Sequence, residues 1–224
     1  SLINGGSISN RVLGEILTEL AVTEGLRLQL YHKKNRLRFS PRPGASPFEI
    51  EMDQYDSIWP PTEDVVQMGK RGWKDRYYEH FFGLNRFSEH ARLNSIIGDY
   101  LKTMHWTWAY YATGLPSWEW CYPHHHAPTM SDVCKFIQHR PTFACAFELG
   151  RPVSTTVQLL CVLPPQSFPL LNPRVRSAVE RSGLPYYPRS FGEDCIHKKK
   201  RWQTIPNIPF VQASVVQKFI DSLR

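Results

Sequence analysis

Apolar residues recur at three- and four-residue spacing in several stretches of this chain, the period of a helix with one buried face. The clearest stretch follows Ser88, where Ile97, Leu101, Met104, Trp108 and Tyr111 repeat in this way with Ile96 and Tyr100 beside them. Gly114 and Pro116 supply its stop signals. Nearer the start, Val12, Leu13, Ile16, Leu17 and Leu20 line one face behind Ser7 and Ser9, two candidate N-caps. Residues 73–82 are an aromatic, helix-compatible run closed by Gly83. Ser131 and Asp132 can cap a further helix that carries Val133, Phe136 and Ile137.

After Gly150 the pattern shortens. Residues 157–163 are apolar and end at Pro164-Pro165, residues 174–181 read as a short basic helix, and Val215, Phe219 and Leu223 mark a final one. Residues 185–188 hold a Tyr-Tyr pair between prolines, in an extended or turn conformation. Between the first two helices, Pro41, Pro43, Gly44 and Pro47 interrupt a basic stretch, so residues 32–61 read as a loop or insertion. The pattern therefore predicts a mainly α protein, an irregular multi-helix domain over residues 1–224 with long proline-rich connections and little or no β.

At 224 residues the chain can bury a real core. It opens on Ser1, Leu2 and Ile3, with neither the basic start nor the apolar run of a signal peptide, and reads as an excised piece. No apolar stretch reaches the roughly 20 residues of a membrane span, so no membrane partner is expected. Five cysteines without any Cys-x-x-Cys favour a reducing compartment. The net charge of +7 favours anionic partners, nucleic acid first.

Candidate chemistry centres on residues 106–128. Four of the seven tryptophans lie between positions 106 and 120. A tryptophan there either packs in the core or stacks on a nucleobase; Trp118 or Trp120, on the loop side, fits the second role. His124, His125 and His126 are adjacent, and three neighbours on an extended loop cannot all face one metal ion, so packing is the preferred reading. Lys198, Lys199, Lys200 and Arg201 form a compact basic knot before Trp202. The carboxylates are scattered, without the converging set that a two-metal nuclease needs. No phosphate loop, nucleophile elbow or His-Glu-x-x-His is present.

The run Gly114-Leu115-Pro116-Ser117-Trp118-Glu119-Trp120-Cys121-Tyr122-Pro123-His124-His125-His126-Ala127-Pro128, followed by Ser131-Asp132, resembles the second conserved region of the Xrn/Rat-type 5′→3′ exoribonucleases. The likeness extends to Trp73-Lys74-Asp75-Arg76-Tyr77-Tyr78, to residues 158–167, to Tyr186-Tyr187-Pro188 and to Ile208-Pro209-Phe210-Val211, in order along nearly the whole chain. His126 stands where the family has tyrosine, and Thr155-Thr156-Val157 where it has Pro-Phe-Glu, which brings a divergent paralogue within reach.

The resemblance implies a helical module beside a nuclease core that lies outside this chain. That core, an N-terminal region supplied in cis or in trans, would hold Mg²⁺ and the catalytic acids, so no catalytic residue and no metal ligand is expected here. The whole enzyme would degrade 5′-monophosphorylated single-stranded RNA in the cytoplasm, toward whose branch of the family the Leu-Pro and Tyr-Tyr-Pro details lean, with the nucleus as the alternative. This module would narrow the channel and stack bases. The implied nucleic-acid contacts are Trp118 or Trp120, Tyr122 and His125, joined by the basic knot Lys198, Lys199, Lys200 and Arg201. The alternative is a stand-alone RNA-binding or scaffold module without catalytic activity.

Overall fold

The computed structural model describes residues 3–4, 7–35, 42–58 and 62–223. Among them the protein is mainly α. The helices are α1 (Asn10–Asn35), α2 (Pro47–Tyr55), α3 (Trp73–Phe82), α4 (His90–Ala112), α5 (Met130–His139), α6 (Thr155–Val162), α7 (Pro173–Arg181) and α8 (Ala213–Asp221). The β structure is slight: β1 (Ile3–Asn4) pairs antiparallel with β2 (Ser7–Ile8), and β3 (Glu193–Asp194) with β4 (Ile205–Pro206). No described helix is long and apolar enough to cross a membrane. The five cysteines are all free.

The chain divides into two compact units, Ser1–Leu149 with Cys195–Gln203, and Gly150–Asp194 with Thr204–Arg224. In the first, α1 packs along α5, and α4 packs against α5 and β2. Leu13 and Leu17 of α1 meet Ile96, Ile97 and Leu101 of α4 and Val133, Phe136 and Ile137 of α5 in one core. Burial of such side chains contributes about 1.5–3 kcal/mol each, and tight packing shows at Gly14, where an added Cβ would press on Ile137 at 3.2 Å. At Gly69 the backbone adopts φ +80° and an added Cβ would stand 2.5 Å from the Gly25 carbonyl oxygen, so only glycine fits. In the second unit α6 packs on α8, and Val157, Leu160, Phe168, Val179, Val216 and Ile220 are buried together. Tyr187 donates to the Leu160 carbonyl at 2.6 Å, and burial pushes its phenol up to about 12.

Several sequence expectations shift in detail. The basic stretch does not end α1, which continues through Arg27 and Lys33 to Asn35. Residues 32–61 are not all loop, because Ser46 and Glu49 form a reciprocal capping box that starts α2 at Pro47. The α5 cap is Thr129; Ser131 and Asp132 lie inside the first turn and are buried. In α8 the buried stripe falls on Val216 and Ile220, with Val215 turned outward. At the far end of α4 the apolar repeat overreaches: Tyr111 is 80% exposed. Ile16 is likewise exposed, although its spacing places it with the α1 core residues.

A candidate nucleic-acid interface on the loop after α4

The loop between α4 and α5 is irregular in backbone but tied at close intervals. It leaves α4 at Gly114, whose φ of 107° needs a glycine. Ser117 is buried, and its hydroxyl accepts from the N–H groups of Glu119 (3.2 Å) and Trp120 (3.3 Å). Its carbonyl accepts from the Trp106 indole N–H at 3.2 Å. The Trp118 N–H donates to the Leu149 carbonyl at 2.8 Å. Thus the backbone of Trp118 is fixed while its ring stays 54% exposed.

Trp120 is placed differently. Its ring is half-buried, with the Lys102 ammonium 4.2 Å from the ring centroid and Phe147 edge-on at 6.4 Å. Its Nε1 is buried. One face of this indole is therefore already covered by a cation. Of the two candidates, only Trp118 offers an open ring.

Further along, Tyr122 donates to the His126 carbonyl at 2.8 Å and packs edge-on against Tyr100 and His124. Burial, then the neighbouring Tyr77 and Tyr100, push its phenol above the usual tyrosine range. His124 lies 3.5 Å from the Asp99 carboxylate, and His126 rests against Phe81 with ring centroids 4.0 Å apart. His125, by contrast, is exposed. The three histidines thus face different neighbours. Among the described residues no group of three or more His, Cys, Asp or Glu is placed to hold a metal ion.

The end of the loop is held by a buried polar network. Tyr77 donates to the Ala127 carbonyl (2.7 Å), and the Thr129 N–H donates to the Tyr78 hydroxyl (3.0 Å). Glu24, only 9% exposed, accepts from the N–H of Met130 at 2.6 Å and from the Ser131 hydroxyl at 2.6 Å. Lys74 bonds Ser131 and stands 3.5 Å from Glu24. Asp132 accepts from Thr129 (2.7 Å) and from Arg86 (3.0 Å). Burial raises the Asp132 carboxyl, but the Arg86 and Thr129 hydrogen bonds and the Arg86 and Lys74 charges outweigh it, and the net shift is downward. Sequence reading missed this network. Its signal was present: Glu24 continues the stripe Leu13, Leu17, Leu20 at helical spacing, placing a carboxylate on a buried face.

The side chains of the basic knot have different surroundings. Lys200 bonds the Asp53 carboxylate, the Asp53 carbonyl (2.9 Å) and the Ser57 hydroxyl (3.0 Å). Arg201 donates to the Tyr55 carbonyl at 3.2 Å. These two fasten the 195–203 segment to α2. Lys199 is exposed and Lys198 half-buried. The structure thus brings Trp118, Trp120, Tyr122 and His125 onto one loop, and Lys198 to Arg201 onto another segment.

The chain is thus a mainly α domain that displays an open indole on a braced loop. The family model described as "Xrn1 helical domain" matches residues 49–224, and the chain belongs to that family. The chain is similar to 5′-3′ exoribonuclease 2 of Arabidopsis thaliana, 34% identical over 154 residues, or 67% of this chain and 15% of that protein. It is 30% identical to 5′-3′ exoribonuclease 2 of Gallus gallus over 227 residues, covering 94% of this chain and 23% of that one. With 5′-3′ exoribonuclease 1 of Schizosaccharomyces pombe it shares 33% identity over 191 residues, 78% of this chain and 14% of that protein. The chain spans less than a quarter of the length of these relatives.

Proposed function

We propose that residues 1–224 act as the helical domain of a 5′→3′ exoribonuclease that degrades 5′-monophosphorylated single-stranded RNA. The domain walls the substrate channel, and Trp118 stacks on a base of the bound strand. Trp120, Tyr122 and His125 shape the same wall, while Lys198 and Lys199 attract the phosphate backbone. The observation that carries this reading is the contrast within one loop: the Trp118 backbone is anchored on Leu149 and its ring is open, whereas Trp120 is covered by Lys102. A pre-positioned, exposed indole binds a base without paying much ordering entropy. The names of the relatives support RNA as the class of substrate and 5′→3′ as the direction of attack.

In this reading the hydrolytic acids and Mg²⁺ belong to a nuclease region joined in cis or in trans, and no metal-dependent step is assigned to this chain's residues. The Leu-Pro and Tyr-Tyr-Pro details support a cytoplasmic placement.

The test is a decay assay on 5′-phosphorylated, unstructured RNA with the full-length protein. Trp118→Ala should slow decay about tenfold or more, since one lost stack is worth roughly 1–3 kcal/mol. Unchanged decay by a folded Trp118→Ala protein would remove the stacking role. Absence of any Mg²⁺-dependent decay by the unaltered protein would leave RNA binding alone.

A further inference from the structure

On α4, Lys102, Trp106 and Tyr110 recur every four residues and so share one face. The following loop doubles back along that face. Trp120 lies under Lys102, at 4.2 Å, and the Ser117 carbonyl meets the Trp106 indole N–H at 3.2 Å. Trp118 falls between these two tie points in the chain. Beyond them, the Trp106 and Tyr110 rings stack at 5.3 Å with only 4° between their planes. Tyr111 meets Tyr110 edge-on at 5.3 Å. Tyr110 is 47% exposed and Tyr111 80% exposed, so both present ring surface to solvent.

Such exposure is unusual for Tyr111, which continues the core repeat, and Tyr110 beside it is open as well; the cover is either a protein surface or nucleobases. The charge favours the second. From Tyr100 to Pro128 the sequence contains one carboxylate, Glu119, against Lys102 and four histidines, in a chain of net charge +7. Stacked and edge-on rings with a cation at one end are the elements of a single-strand binding groove. From Lys102 to Tyr110 the helix rises roughly 12 Å at 1.5 Å per residue. At about 3.4 Å per stacked base, that length accommodates three to four unpaired nucleotides.

We infer that the α4 face bearing Lys102, Trp106 and Tyr110, extended at its outer end by the Tyr111 ring that meets Tyr110 edge-on, is a stacking strip for single-stranded nucleic acid, continuous with Trp118. The inference rests on the reading that Trp118 contacts a base, and it adds a second binding locus to that one. Tyr110 and Tyr111 are its outer ring contacts. Lys102 contributes a phosphate contact at the opposite end, its ammonium retaining donors while it lies over Trp120.

The experiment uses the 224-residue chain and a ten-nucleotide oligouridylate with a 5′-monophosphate, followed by fluorescence anisotropy at several salt concentrations. The exposed double variant Tyr110→Ala/Tyr111→Ala should keep the circular-dichroism melt of the unaltered chain and weaken binding tenfold or more, with the salt slope unchanged. Tyr110→Phe/Tyr111→Phe should bind as the unaltered chain does, because stacking needs the ring and not the hydroxyl. Lys102→Gln should lower the slope of log affinity against log salt by about one contact. Oligouridylate carrying 5-iodouridine should photo-crosslink to Tyr110 or Tyr111.

If Trp118→Ala weakens binding while the tyrosine double variant does not, the strip is wrong and the Trp118 contact stands. If neither variant changes affinity, both readings fall. A tyrosine double variant that alters only the melt or the association state, with affinity intact, also overturns the strip.

Discussion

Glu24 of α1 accepts a 2.6 Å hydrogen bond from the backbone N–H of Met130, the first residue of α5, although 106 positions separate them. This carboxylate satisfies an otherwise orphaned donor at a helix start and lies where a negative charge is favoured. It also faces Lys74 at 3.5 Å. Replacing it strands the Met130 N–H and leaves Lys74, which still bonds Ser131, without this carboxylate. Glu24→Ala is expected to lower stability by about 2–4 kcal/mol, and Glu24→Gln by less, in denaturant unfolding. An alanine variant within 0.5 kcal/mol of the parent, a margin typical of about any surface change, would show that the network carries no weight.

The two tryptophans of the loop should separate stability from binding. Trp118→Ala removes an exposed ring and is expected to leave the melting temperature nearly unchanged. Trp120→Ala removes the ring beneath Lys102 and beside Phe147, and is expected to cost about 2 kcal/mol. Thermal unfolding of both variants reads this directly. Equal destabilisation would contradict the assigned environments.

Acid should weaken the fold in two stages. Burial holds the His105 imidazole below its ordinary range, so the folded state binds that proton less readily than the unfolded chain. Its share of stability is therefore present above about pH 6.5 and is lost as pH falls below it. Asp132 is depressed by Arg86 and Thr129 against the opposing effect of burial. Its share is present above about pH 4, the unfolded value, and disappears as pH drops through the lower folded value. Melting temperature measured from pH 8 to pH 3 should show both declines. His105→Asn should remove the first, and Arg86→Met should shrink the second.

The basic segment should divide into two pairs. Lys200→Ala cuts the ties to Asp53 and Ser57, and is expected to speed amide exchange in α2 and residues 195–203 without a selective effect on RNA. Lys198→Ala/Lys199→Ala is expected to leave exchange unchanged and to lower the salt slope of oligouridylate binding by roughly one to two contacts. Hydrogen-exchange mass spectrometry and anisotropy together distinguish the pairs. A reversed pattern would place the nucleic-acid contact on Lys200.

Much of the helical frame was legible because its signals are local. The Ile97 and Leu101 repeat, the Gly83 stop and the apolar stretch before Pro164 each act within a few residues, and α3, α4 and α6 follow them. The start of α2 was hidden by the prolines around it, although Ser46, Pro47 and Glu49 form a cap that sequence alone spells out. What spacing could not give was anything decided across the chain. Periodicity placed Tyr111 on the buried face, but no described element covers the last turn of α4 there, and the ring stays exposed. Which of Trp118 and Trp120 keeps an open ring depends on where Lys102 and Leu149 arrive, and neither is a neighbour in sequence. The basic knot looked uniform because its distribution between Asp53 and solvent is a tertiary matter.

The return of residues 195–203 to the first unit has a bearing on how this protein is made. Residues 150–194 separate two parts of one folded body in sequence, so a ribosome must pass residue 200 before Lys200 can reach Asp53 or His197 can stand 3.2 Å from Asp64. Until then α2 lacks its clasp. Synthesis of residues 195–203, rather than emergence of the first 149 residues, is the event that closes this part of the molecule.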